Sequence, residues 1–367
     1  MKIGVTGYPT YGGSGIVATE LGLELAARGH DVHFISYAHP IRLPREAERV
    51  YYHEVEVANY PLFAYPPYCL ALASRMFEVA ERHSLDLLHV HYAIPHAVSA
   101  LLARQMMKAR RLPFVTTLHG TDISLVGQEP GYFPITKYSI EASDGITTVS
   151  GYLERSTREV FGVESAIRVI HNFVNCDLYR PADSAATSRP RLIHISNFRA
   201  VKRPTDCVRI LAAVRHHTDA ELWMVGDGPE RGPCERLARE LGVEKHVDFL
   251  GKQDYIYKLL PQAQVLLLPS DHEAFGLAAL EAMACGLPPV ATRVGGVAEL
   301  VTHGRDGFLE AAGDVSAQAE RVIELLSNQE VYARMSRAAR ATAKQRFHSE
   351  TIVPQYEAHY REILGNK

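Results

Sequence analysis

An α/β fold made of two parallel-sheet halves is what this sequence predicts, on three observations. Short apolar runs alternate with amphipathic helical stretches from one end of the 367-residue chain to the other. The alternation starts afresh at Arg191-Leu192-Ile193-His194-Ile195. A stretch rich in Pro, Ala and Ser, Pro181 to Pro190, lies between the two series. A helix inserted between successive strands supplies the crossover that parallel pairing needs.

In the first series the strands are expected at 2–6, opening on Lys2-Ile3-Gly4-Val5, then at 32–37, 87–92, 114–118, 146–149 and 167–170. Helical patterns fall between them at 14–28, 69–83, 95–110 and 152–161. The second series has strands at 191–195 and near 221–225, 247–250, 265–268 and 289–291. A closing helix over 349–364 carries Ile352, Tyr356, Tyr360 and Ile363 at helical spacing. Two Rossmann-like domains follow, with a ligand cleft expected between the carboxyl ends of their strands.

Composition narrows the function classes. The net charge is −3, so no basic excess points to nucleic acid or to an anionic membrane surface. No apolar run reaches the roughly 18 residues of a membrane span, and the chain enters a strand at once, which reads as a soluble, unprocessed protein. Five scattered cysteines, with no CxxC pair, argue against a disulfide framework or a structural zinc site and fit a reducing cytoplasm.

The most informative motif is the pair Glu273 and Glu281 in SDHEAFGLAALEAMACG. The strand Val265-Leu266-Leu267-Leu268 ends before them, and a helix opens near Phe275-Gly276, placing Glu273 in the loop and Glu281 on the second helical turn. Backbone N–H groups of Phe275, Gly276 and Leu277 can meet a diphosphate at the positive end of the helix. Glu281 then reaches a ribose diol and Glu273 a sugar hydroxyl, since a carboxylate accepts two hydroxyl bonds at once. The arrangement suits a nucleotide sugar. The same two residues would also serve as a solvated loop acid and an ordinary helix acid, except that Glu281 lies in an apolar helix and needs a polar partner there.

Three further motifs end strands. The loop Gly12-Gly13-Ser14-Gly15 opens the first helix with free N–H groups, either as an anion site or as a tight turn. It lacks the GxGxxG spacing, and no acid follows the second strand near Ser36, so the dinucleotide fingerprint is absent. Asn197-Phe198-Arg199-Ala200-Val201-Lys202-Arg203 sets three cations after a strand, which either neutralise a departing diphosphate or form a solvated turn. His119, in Thr116-Thr117-Leu118-His119-Gly120-Thr121-Asp122, is either structural or a site histidine. His89 and His91 share a strand face and His96 follows, yet no carboxylate or Cys completes a tetrahedral set around them. Asp227, in the turn Gly226-Asp227-Gly228-Pro229, reads as mainly structural.

The Glu-x7-Glu arrangement resembles the signature of retaining glycosyltransferases of family 4, which have the two-domain GT-B fold. That resemblance implies domains at 1–175, 176–346 and 347–367, the last a helix crossing back to the first domain. It implies donor contacts from Gly13, Arg199, Lys202, Glu273, Phe275, Gly276, Leu277 and Glu281, and a catalytic group of His119, Arg199, Lys202 and Glu273. The cation loop is one residue shorter than the commonest form, leaving Lys202 and Arg203 both open as the second phosphate contact. Ala274 stands where Ser is common.

Tyr8-Pro9, Pro66-Pro67-Tyr68, His91-Tyr92-Ala93-Ile94-Pro95-His96-Ala97, Leu118-His119-Gly120-Thr121-Asp122 and Ser196-Asn197-Phe198-Arg199 are similar to the branch of this family that acts on L-malate in the first step of bacillithiol biosynthesis. The resemblance implies transfer of N-acetylglucosamine from UDP-N-acetylglucosamine to L-malate with retention, without a metal or other cofactor. Partners are then the two substrates, with no nucleic acid and no membrane insertion; a homo-oligomer stays open. Malate brings two carboxylates, for which the first domain offers Ser14, Tyr92, Thr117 and Asn172. Alternatives are another acceptor such as an inositol phosphate or a lipid, a GT-B UDP-N-acetylglucosamine epimerase, and a non-catalytic dinucleotide-binding module.

Overall fold

A computed structural model describes residues 1–57, 62, 64–124, 126–182 and 189–365. Most of the Pro181–Pro190 stretch lies outside the described residues. The chain forms two compact units: Met1–His171 with Ile352–Lys367, and Asn172–Thr351.

The first unit carries a seven-stranded sheet. Its strands are β1 (Lys2–Thr6), β2 (Asp31–Ser36), β3 (Val50–Glu54), β4 (Leu87–His91), β5 (Phe114–Leu118), β6 (Gly145–Thr148) and β7 (Ile167–Val169). Their spatial order is β3-β2-β1-β4-β5-β6-β7, with each neighbouring pair parallel. The second unit carries β8 (Arg191–Ile195), β9 (Glu221–Val225), β10 (Val247–Gly251), β11 (Val265–Leu268), β12 (Pro289–Thr292) and β13 (Phe308–Glu310). These run parallel in the order β10-β9-β8-β11-β12-β13. In both sheets the chain reverses its direction of growth at the first strand, between β1 and β4 and between β8 and β11. Helices on opposite faces part there and leave a crevice at the strands' carboxyl ends.

Two strands were absent from the sequence expectation. β3 is a sheet edge whose Val50-Tyr51-Tyr52-His53-Glu54 is partly exposed and polar, so it shows neither an apolar run nor clean alternation. β13 is three residues long. Buried strands such as Val265–Leu268 were legible because both faces are covered and the run is continuously apolar. Each unit has its own core: Leu72, Met76, Leu88, Val90 and Phe114 in the first, Leu192, Leu211, Leu222, Leu267 and Val322 in the second, all fully buried. Burial of each such side chain stabilises by about 1.5–3 kcal/mol relative to exposure.

The unit boundaries, at 171/172 and 351/352, differ from the expected 175/176 and 346/347. Val174 N–H donates to Phe347 O at 3.0 Å and Ser349 N–H donates to Val174 O at 3.2 Å, which draws both segments into the second unit. From Ile352 the terminal helix Ser349–Gly365 belongs to the first unit, where Tyr356 and Tyr360 are buried and Glu357 meets His30 at 2.7 Å. No helix among the described residues is long and apolar enough to cross a membrane.

Candidate active site

In the second unit the crevice is edged by the loops that follow β8 and β11. After β8 the chain turns at Phe198, whose φ is 39° and whose ring is fully buried, so the neighbouring Arg199 is turned out to solvent. Among the described residues Arg199 makes no ion pair. A 3₁₀ turn, Ala200–Lys202, then presents Lys202, whose Nζ donates to Glu273 Oε1 at 2.7 Å; Ser270 Oγ donates to the same oxygen at 2.9 Å. Arg203 faces elsewhere. It donates to Asp206 Oδ2 at 2.6 Å and to Asp271 Oδ1 at 3.3 Å, so its charge is already met.

Glu273 is fixed from beneath by a turn that sequence reasoning missed. Gly296 N–H donates to Glu273 O at 3.0 Å, and a Cβ on Gly295, whose φ is 53°, would fall 1.9 Å from that same oxygen. Only glycine permits so close an approach. Gly276, with φ of 94°, caps the helix Leu277–Ala284, and the first N–H groups of that helix have no carbonyl a turn earlier within it. Phe275 is buried against Phe347 at 5.6 Å between ring centroids. Glu281, only 5 % exposed, accepts from Tyr179 OH at 2.7 Å. Arg340 donates to the carbonyls of Tyr179, Ala284 and Cys176 and so locks Tyr179 against that helix. The partner required of Glu281 is thus Tyr179, 102 positions away and invisible to any local pattern.

In the first unit Gly13 and Ser14 open the helix Gly13–Ala27, whose first turn holds no acid, at the carboxyl end of β1. Gly15 is the constrained member of this loop: a Cβ there would lie 2.2 Å from Tyr8 O. Tyr8 also stacks edge-on against Tyr92 at 5.2 Å and lies 4.6 Å from the His96 ring. Tyr92, following β4, adopts φ of 88° and anchors its N–H on Thr117 O at 2.9 Å.

His119 follows β5 and shares a hydrogen bond with His91 at 2.8 Å. Burial, with a smaller contribution from His96, pushes His119 down to about 3, so the ring is neutral near pH 7. Asp122 accepts from the N–H groups of Gly120, His119 and Ala93 at 2.9, 3.2 and 3.2 Å, pinning the loops after β4 and β5 to each other. His89 and His91 stack at 4.5 Å on one strand face, as alternation requires. His89 is held by Tyr360 OH and by Thr117 Oγ1, both at 2.6 Å.

Two expected acceptor contacts sit otherwise. Thr117 is fully buried and spends its hydroxyl on His89 and on Thr147 Oγ1, so it supports the histidine layer rather than facing a ligand. Asn172 is the first residue of the second unit, not part of the first, and is 6 % exposed.

Comparison with known proteins places this geometry. The sequence profile described as "Glycosyltransferase Family 4" matches residues 11–178, and that described as "Glycosyl transferases group 1" matches residues 177–342. The chain is 46 % identical to the N-acetyl-alpha-D-glucosaminyl L-malate synthase of Bacillus anthracis, over 99 % of this chain and 97 % of that protein. The chain belongs to glycosyltransferase family 4. Solved structures share its fold. Sucrose-phosphate synthase from Thermosynechococcus elongatus superposes with a TM-score of 0.84 at 21 % identity over the full length of both chains. Anabaena Alr3699/HepE, solved with UDP-glucose, gives 0.82 at 22 % identity over 99 % of this chain and 100 % of that one. At such identities the likeness speaks to the fold, which is the two-domain GT-B architecture of this family 4 glycosyltransferase.

Proposed function

We propose that this family 4 glycosyltransferase moves N-acetylglucosamine from UDP-N-acetylglucosamine to the hydroxyl of L-malate, with retention of anomeric configuration. The observation that carries the reading is the 46 % identity along essentially the whole chain with the malate synthase of Bacillus anthracis. In the transfer, the bond between the anomeric carbon and the β-phosphate oxygen breaks while the malate oxygen bonds to that carbon on the same face. The malate hydroxyl proton passes to the departing phosphate oxygen. UDP and the malate glycoside leave, and no bond to the protein is made.

The protein's contribution is electrostatic and positional. Negative charge grows on the diphosphate as the bond breaks. Arg199, Lys202 and the N–H groups opening the helix at Leu277 supply fixed positive potential there without a divalent ion. The ion pair with Glu273 supports Lys202 over Arg203 in this role, because Arg203 is spent on two aspartates. Glu273 and neutral His119 orient the sugar, and Glu281, already steadied by Tyr179, has acceptor capacity left for the ribose diol. Ser14, the neighbouring loop amides and Tyr92 receive malate, while Thr117 acts through His89.

Incubation with UDP-N-acetylglucosamine, with and without L-malate, tests the assignment. Malate-dependent release of UDP with an α-linked product is expected. UDP release without an acceptor would point to an epimerase, and turnover only with an inositol phosphate or a lipid would replace the acceptor.

A further inference from the structure

Three histidines that no part of the transfer uses converge on one face of the first sheet. β2 and β3 run in parallel with His33 opposite Tyr51 and Ile35 opposite His53, so His33, Tyr51 and His53 share a face. The helix Tyr68–His83 packs along β2 and ends with His83 against the same rings. The His33 ring lies 5.2 Å from that of His53 at an interplanar angle of 14°, and 4.6 Å from that of His83; His53 and His83 are 5.1 Å apart. One ligand nitrogen from each falls within 4.8 Å of the other two.

We propose that His33, His53 and His83 form a binding site for one divalent transition-metal ion of the zinc type. Three imidazoles with a fourth position open to water match the tetrahedral preference of zinc, whereas magnesium and calcium demand oxygen ligands. Zinc–nitrogen bonds of about 2.0–2.1 Å set ligand nitrogens about 3.3–3.4 Å apart in a tetrahedron. His33 Nδ1 and His53 Nε2 already face each other at 2.9 Å and need only part slightly. His83, half-buried at the helix end, turns in to complete the set.

The electrostatic setting favours the ligand form. Burial, joined by the neighbouring histidines, pushes both His33 and His53 down to about 4, so their lone pairs are available at neutral pH. Asp31 on β2 faces the cluster as an acid, against Lys2 on β1 and Arg75 and Arg82 on the helix. The ion would clip the exposed edge strand β3 to its covering helix, a structural staple apart from the strand ends where the transfer is placed.

The metal-stripped full chain titrated with Zn²⁺ provides the test, with Co²⁺ absorption as a report on ligand geometry. One equivalent should bind, give tetrahedral Co²⁺ bands and raise Tm. His53→Gln and His83→Gln should each weaken binding by about 100-fold or more, beyond what even outer-shell changes cost, while the exposed His217→Gln keeps the site. His83 is at a half-exposed helix end, so its variant keeps the test open should His53→Gln misfold. Absence of a stoichiometric equivalent in the unaltered protein, or its survival in both variants, would overturn the proposal.

Discussion

Lys202 Nζ and Glu273 Oε1 lie 2.7 Å apart, joining the loop after β8 to the loop after β11 across the point where the second sheet changes direction. The pair holds in register the cation and the acid proposed to meet the diphosphate and the sugar. In the proposed transfer a diphosphate would draw Lys202 from one anionic partner toward another, concentrating its effect where charge develops.

Neutralising Lys202 or Arg199 should therefore lower kcat by about 10²–10³-fold, the usual loss on removing one preorganised group facing transition-state charge. Arg203→Ala should leave kcat nearly unchanged, since its guanidinium is already held by Asp206 and Asp271. Steady-state rates of UDP release decide it, with saturating EDTA leaving kcat unchanged. A rise in KM alone for Lys202→Met would reduce the lysine to uniform binding, and a kcat lost to EDTA in the unaltered protein and equally in folded His53→Gln would bring a metal into the transfer.

Glu281→Ala should weaken UDP binding by roughly 1.5–3 kcal/mol, the cost of losing hydrogen bonds to a charged group. Tyr179→Phe should cost less, about 0.5–1.5 kcal/mol, because it loosens the carboxylate without removing it. Calorimetric titration of each folded variant with UDP is the check. Equal affinities throughout would leave Glu281 as a purely structural partner of Tyr179.

An acceptor pocket built for two carboxylates should discriminate strongly against one. Lactate should react about 10²-fold more slowly than L-malate, or worse, because polar groups desolvated for the missing carboxylate go unpaired. Tyr92→Phe and Ser14→Ala should raise KM for malate more than for the sugar nucleotide. Similar turnover of malate, lactate and glycerol would reject the dicarboxylate pocket.

Acid should destabilise the first unit. Burial holds His89, His96 and His119 down to about 3, 4 and 3, below an ordinary value near 6.5. As pH falls below about 6.5 the unfolded chain takes up protons that the fold refuses, costing up to about 1.4 kcal/mol per pH unit for each histidine. Asp122, pushed up to about 6 by burial, works in the opposite direction below that pH, one group against three. Urea midpoints at pH 7, 6 and 5 should fall in that order; a constant midpoint would mean that these histidines are not held neutral.

Local pattern was enough for much of this protein. Continuously apolar strands such as Val265–Leu268, the helix opening after Gly276, and the placing of Glu273, Arg199 and His119 just beyond strand ends all follow from residues close together in the chain. Periodicity reports burial and strand ends, and in a parallel sheet those ends are where ligands bind. The choices within the site came from partners far away in sequence. Asp271 helps to take Arg203 out of contention, Tyr179 meets Glu281, and His89 claims the Thr117 hydroxyl. β3 and the three histidines beside it were equally hidden, since an exposed edge strand carries no apolar signature and His33, His53 and His83 become neighbours only when β2, β3 and the following helix pack. Hydrogen-bond partners and ligand sets depend on which elements the topology makes adjacent, and no short-range pattern encodes that adjacency.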